Sequence, residues 1–135
     1  IYFTDPGLLC HLLGIHQEEH IALHPLRGAI FETLVFNELL KDNVNRGNGW
    51  KIWYWRDNHG TEIDFLLERA TELRAIEAKS ATNFHDDYFK NLLKFNKYNP
   101  DVNEMYLVYD GPLERKKNNI HILNWKNRKY LPGSS

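Results

Sequence analysis

Two acidic residues and a lysine stand where consecutive strands can bring them together: Asp64 in EIDFLLE, and Glu77 and Lys79 in LRAIEAK. Side chains two residues apart on a strand point the same way, so Glu77 and Lys79 share a face. If the two strands form a hairpin, Asp64 meets them there. A hard divalent cation takes one or two carboxylates and completes its shell with water and substrate phosphate. Asp64 and Glu77 are therefore the candidate ligands for Mg²⁺ or Mn²⁺, with the backbone carbonyl of Ala78 beside them. Lys79 is suited to position an attacking water and to offset charge in a transition state. The carboxylates around it favour its cationic form, so an electrostatic role ranks above that of general base. The chemistry these groups suggest is phosphodiester hydrolysis. They also fit a plainer role, because acids alternating with lysine on a half-exposed sheet face form cross-strand ion pairs. Glu32 is a further acid of interest. It sits beside Phe31 inside a helical pattern, among residues that should pack, where an unpartnered carboxylate is costly.

The elements that must position these groups are legible from periodicity. Arg27 to Asp42 reads as a helix through Phe31, Leu34, Val35 and Leu39, with no proline inside it. The turn-rich NVNRGNG of residues 43–49 follows. Lys51 to Arg56 is aromatic and β-branched and predicts a strand, closed by the hairpin-like turn Asp57-Asn58-His59-Gly60. Residues 61–69 alternate, Glu62, Asp64, Leu66 and Glu68 opposite Ile63, Phe65 and Leu67. Residues 73–79 alternate too, which predicts a three-stranded meander. Helical spacing returns at Phe84, Tyr88, Leu92 and Phe95, with Asn83 as a candidate cap. Strands are predicted at Glu104 to Tyr109 and at residues 120–125. The second helix then acts as a crossover, leaving the last long strand parallel to a hairpin strand. The fold class is α/β, a central mixed sheet flanked by helices. Ahead of all this, Leu8, Leu9, Leu12 and Leu13 predict a short helix that stops at Gly14.

At 135 residues and 16.0 kDa the chain is sized for one domain, residues 1–135, with a substantial core. Its 42% apolar and 26% charged composition is that of a globular protein, and no run is long enough to span a membrane. A single cysteine, Cys10, excludes an intrachain disulfide and fits a reducing, cytoplasmic setting. His11, His16, His20 and His24 cluster, but without HExxH spacing or cysteine partners they do not read as a zinc site. Net charge is −1, unevenly distributed. Residues 1–110 hold 11 basic and 17 acidic side chains, whereas residues 111–135 hold 6 and 1. Within that basic end, Arg115, Lys116 and Lys117 are candidate contacts for a nucleic-acid backbone, a solvated tail being the plainer role. No GxxxxGK[ST] loop occurs, so the chain carries no ATP site of that kind.

Four phrases add a resemblance: YFTDPGLLCHLLGI, GAIFETLVFNELL, YWRDNHGTEIDFLL and LRAIEAKS. In this order, from Tyr2 to about Trp125, the chain resembles the domain of unknown function found at the C-terminus of many bacterial and archaeal AAA-type ATPases. The resemblance implies a restriction-endonuclease-like core of the PD-(D/E)xK nuclease superfamily. It places that family's pattern on Glu32, Asp64, Glu77 and Lys79, with none of them replaced. It implies an upstream P-loop ATPase domain missing from this chain, which would then be the C-terminal piece of a longer protein, and nucleic acid as a partner. Two classes of function stand side by side. One is a Mg²⁺- or Mn²⁺-dependent nuclease module. The other is a non-catalytic regulatory, protein-docking or nucleic-acid-binding domain.

Other residues carry smaller expectations. Trp53 and Trp55 suit base stacking, but aromatics in a first strand more often pack on a helix. Arg56 and Asp57 suit support of the site or fixing of the turn, and His59 suits the turn. Tyr88 and Lys94 are lesser candidates for phosphate contact.

Overall fold

Arg27–Arg46 forms a single 20-residue helix, α1. Phe31, Val35 and Leu39 recur every four residues, form one stripe and are buried. Ile30 is buried as well, while Leu34, expected in the stripe, is only half-buried. The helix runs four residues beyond Asp42 and stops at Gly47, whose φ of 62° is left-handed. There the Asn48 N–H donates to the Asn43 carbonyl at 3.1 Å, closing the helix with the wrap that a left-handed glycine permits. Asn43 also ties the helix to Trp50, since its side-chain amide donates to the Trp50 carbonyl and accepts from the Trp50 N–H. The computed structural model describes residues 26–127. The Leu8–Leu13 stripe, Cys10, His11, His16, His20, His24, Arg128 and Lys129 lie outside the described residues.

Three strands come next as an antiparallel meander: β1 (Lys51–Arg56), β2 (Glu62–Arg69) and β3 (Glu72–Lys79). A short 3₁₀ turn (Asp86–Phe89) leads into helix α2 (Lys90–Tyr98), so the single helix expected over residues 84–97 begins later and in two parts. Asn83 caps neither part. The sheet is completed by β4 (Glu104–Tyr109), β5 (Arg115–Lys117) and β6 (Ile120–Asn124), in the order β1-β2-β3-β4-β6-β5. β4 lies parallel to β3 and to β6. Parallel neighbours need a crossover, and α2 supplies the one between β3 and β4. The β5 strand was not expected from periodicity. Its hairpin with β6 turns on Asn118 and Asn119, both at positive φ, a conformation that asparagine tolerates better than most residues.

The central strands of the sheet are buried on both sides. Phe31, Val35 and Leu39 of α1 pack on Phe65, Leu67, Ile76, Ala78, Tyr106 and Val108. On the opposite face Phe89, Leu92 and Phe95 pack on Ala75, Met105, Leu107, Tyr109, Ile120 and Ile122. Successive residues of β3 and β4 alternate between these two clusters, as the pleat requires. Burying each large aliphatic side chain contributes about 1.5–3 kcal/mol, and so the two helices are held chiefly by these stripes. Among the described residues no helix is long and apolar enough to cross a membrane.

Candidate active site

The alternation expected along β2 breaks at the residue that matters most. Trp53 pairs with Leu66 and Trp55 with Ile63, so Tyr54 alone stands opposite both Asp64 and Phe65. This one-residue bulge switches Ile63 to the α2 side, where it packs with Leu66, while Phe65 stays on the α1 side. A bulge bends its strand and re-aims a side chain, here that of Asp64. The same irregularity separates the two tryptophans. Trp55 meets Phe95 edge-on at 4.9 Å, whereas Trp53 is 52% exposed and does not join the packing expected of it.

On the other side of β2, pairing with β3 runs from Arg69↔Glu72 to Phe65↔Ile76. Beyond that point two carboxylates bridge the strands. The Asp64 N–H donates to Glu77 Oε1 at 3.1 Å, and the Ala78 N–H donates to Asp64 Oδ2 at 2.8 Å. Each acid thus satisfies a backbone donor of the opposite strand, and this reciprocal strap fixes both side chains where β2 and β3 part. Lys79 Nζ lies 3.9 Å from Glu77 Oε2 and 5.9 Å from the centre of the Tyr88 ring. Glu77 is 2% exposed and Asp64 9%, while the Lys79 side chain is 39% exposed. Two buried acids therefore open toward solvent through a lysine.

Glu32 approaches from α1, half-buried. The Arg27 guanidinium donates to the Ser80 carbonyl, tying the start of α1 to the residue after Lys79. Burial, and then the charge of Asp64, push the Glu32 carboxyl from its ordinary 4.5 up to about 7, with Lys79 opposing. Burial also raises Asp64, against the Ala78 N–H and Lys79. Glu77 is raised by burial first and by the charge of Asp64 second. Three acids are thus held in a setting that resists their ionisation. Among the described residues no group of three or more His, Cys, Asp or Glu side chains is gathered to ligate a metal, so Asp64 and Glu77 stand as a pair.

A pH dependence follows from these shifts. Below pH 4.5 Glu32 is protonated in both native and unfolded chains. As pH rises toward 7 the unfolded chain releases a proton that the native chain retains, so stability falls. The raised Asp64 and Glu77 act in the same direction. In the presence of a chelator, the midpoint of urea unfolding is expected to be higher at pH 5 than at pH 8. A midpoint that rises with pH over this range would show that these carboxylates are stabilised as anions.

Of the remaining candidates, Tyr88 stands beside Lys79, while the basic cluster sits at a sheet edge. Arg115, Lys116 and Lys117 form β5 at the far edge of the sheet, with β4 and β6 between them and β3. Lys117 is paired with Asp86 at 2.7 Å. Arg56 pairs with Glu62 at 3.4 Å, and Asp57 closes its turn by accepting from the His59 and Thr61 N–H groups. The residue missed from sequence is Glu62. Its charge reaches both Glu32 and Asp64, and its place two residues before Asp64 was the available signal.

Residues 27–127 match the family described as Domain of unknown function (DUF4143). The chain belongs to that family. All four residues of the site, Glu32, Asp64, Glu77 and Lys79, lie inside the matched DUF4143 region, whereas the phrase YFTDPGLLCHLLGI lies ahead of it. No curated protein and no solved structure matches the chain significantly.

Proposed function

We propose that this DUF4143 domain is a metal-dependent nuclease module with a restriction-endonuclease-like core of the PD-(D/E)xK type, working as part of a P-loop ATPase protein. The observation that carries this reading is the reciprocal strap between Asp64 and Glu77, with Lys79 at its mouth. Burial raises both acids and the charge of Asp64 raises Glu77 further, so the two are poor neighbours as anions. A divalent cation between them offsets that repulsion, and their hard oxygens suit Mg²⁺ or Mn²⁺. Asp64 and Glu77 would hold the ion. When bound, it lowers the pKa of a ligated water and polarises a phosphoryl oxygen.

The chain's own groups supply the rest. Attack by water forms a new P–O bond as the bond to the leaving sugar oxygen breaks, and negative charge builds on the phosphoryl oxygens. Lys79, half-exposed beside Glu77, is placed to stabilise that charge and to orient the water. The strap keeps both acids in one geometry through backbone donors, so little reorganisation is needed when substrate arrives. Glu32 adds negative potential from the α1 side.

The test is incubation of the full-length protein with labelled single-stranded and duplex DNA and RNA in Mg²⁺ or Mn²⁺, with a chelator control. Products that appear only with metal support the reading. Intact substrate under every metal condition, with and without ATP, would sink it. One observation favours the non-catalytic alternative: edge strand β1 leaves Trp53 and Tyr54 each 52% exposed, a surface suited to a partner. Binding without turnover is the result that alternative expects.

A further inference from the structure

Helix α2 reads KNLLKFNKY, with three lysines and no acid, in a chain whose net charge is −1. Lys90, Lys94 and Lys97 recur at spacings of four and three, which sets them on one side of the helix. All three are exposed, and Leu92 and Phe95 point the opposite way into the core. Neither Lys94 nor Lys97 makes an ion pair among the described residues, in contrast to Lys117. Between the second half of α2 and the β1–β2 turn lies an open notch of about 360 Å³, lined by Asp57, His59, Thr61, Lys94, Lys97 and Tyr98. Tyr98 is 71% exposed. Asp57, the acid in the notch, is already engaged by the His59 and Thr61 N–H groups, each at 2.8 Å.

The notch is joined to the carboxylate pair through β2. Thr61 immediately precedes β2, whose third residue is Asp64. Glu77 and Lys79 alternate with Ile76 and Ala78, which face α1, and so they lie on the α2 side of the sheet. The Tyr88 ring beside Lys79 belongs to the 3₁₀ turn that runs directly into α2. A basic helix face, an exposed aromatic ring and a notch therefore stand on the same side of the sheet as Glu77 and Lys79, joined to the site by short stretches of chain.

We propose that this face is the substrate-docking surface: Lys94 and Lys97 hold the phosphate backbone of a nucleic acid, and Tyr98 and His59 contact the strand in the notch beside them. The inference rests on the hydrolytic reading only for its direction, since the strand held here leads toward Lys79. Lysines that neutralise phosphates release counterions, and stacking on an exposed ring tolerates any base. The positive charge of Lys94 and Lys97, neither of them in an ion pair among the described residues, favours a polyanion over an uncharged partner.

The experiment is fluorescence anisotropy of a labelled oligonucleotide, single-stranded and duplex, titrated with the full-length chain in a chelator across a salt series. The Lys94→Gln/Lys97→Gln double variant is compared with Arg115→Gln/Lys116→Gln. These side chains are all exposed, and circular dichroism checks that the variants fold. The α2 variant is expected to bind about tenfold more weakly or worse, and to reduce the slope of log K against log salt by about two. The β5 variant is expected to bind as the parent does. Unchanged affinity and slope in the α2 variant would overturn the proposal, as would an equal loss in the β5 variant. It is overturned too if the parent binds polyglutamate but no oligonucleotide, which would make the face an acidic-protein dock. The two proposals fail separately. Cleavage by the parent with unaltered binding in the α2 variant removes the docking surface alone. Binding lost in that variant, with no metal-dependent cleavage by the parent, removes hydrolysis alone.

Discussion

Asp64→Asn and Glu77→Gln are each expected to reduce metal-dependent cleavage by roughly 10³-fold, equivalent to about 4 kcal/mol of barrier. The same variants should melt at a higher temperature than the parent when no metal is present. Both expectations come from one geometry. Each amide keeps an oxygen to accept the strapping hydrogen bond, from the Ala78 N–H at residue 64 and from the Asp64 N–H at residue 77. Each removes a carboxyl whose ionisation is opposed by burial. The contact given up, Glu77 to Lys79 at 3.9 Å, involves a lysine 39% exposed, and such pairs contribute about 1 kcal/mol or less. Calorimetric titration with Mn²⁺ should find saturable binding in the parent and none in either variant. A drop in metal-free stability would mean that the acids serve as anionic partners within the fold. Cleavage retained by both variants would place the chemistry elsewhere.

Gly111→Ala is expected to cost roughly 3 kcal/mol, at the upper end of overpacking effects. A Cβ at this position would fall inside the edge of the Tyr109 ring and against the Thr82 carbonyl oxygen. Neither neighbour can yield easily. Tyr109 is 1% exposed and its hydroxyl accepts the Leu113 N–H at 2.7 Å, while the Thr82 carbonyl is backbone. The surroundings are tied as well: the Asp110 N–H donates to the Ala81 carbonyl, and the Asn124 amide donates to the Gly111 carbonyl. Because residues 80–82 continue directly from Lys79, displacement there should also disturb the site. Gly28→Ala is the matching control. It lies in α1 with nothing within 4 Å of the added carbon, and alanine there should stabilise by about 0.5–1 kcal/mol. Urea unfolding of the two variants reads both effects. Equal and small shifts would mean that the loop after β4 rearranges freely.

Much of this architecture is legible from local pattern. The spacing of Phe31, Val35 and Leu39 suffices for α1, because a helix must bury one stripe. Alternation suffices for β3, and the crossover through α2 follows from needing β4 beside a hairpin strand. The short strand β5 was not legible, since Arg-Lys-Lys is charged and three residues long, and only the Asn118-Asn119 pair hinted at a turn. The bulge in β2 was hidden by a period of two that reads smoothly through Asp64. Trp53 looked like its neighbour Trp55, and only the register shift between them separates their surroundings.

The same division holds for the site. Residue types and the two-residue step from Glu77 to Lys79 identify the candidate acids and lysine, because strand geometry is local. Their burial, the crossed hydrogen bonds and the raised pKa of each acid depend on how far β2 and β3 stay paired before they part, which no local pattern encodes. Charge behaves likewise. Lys and Arg counts in sequence single out Arg115, Lys116 and Lys117, yet the sheet order sets them beyond β4 and β6. Chain crossing, by contrast, brings the lysines of α2 beside the turn that leads to Asp64. Distance along the chain says little about distance in space once parallel strands are joined by a helix.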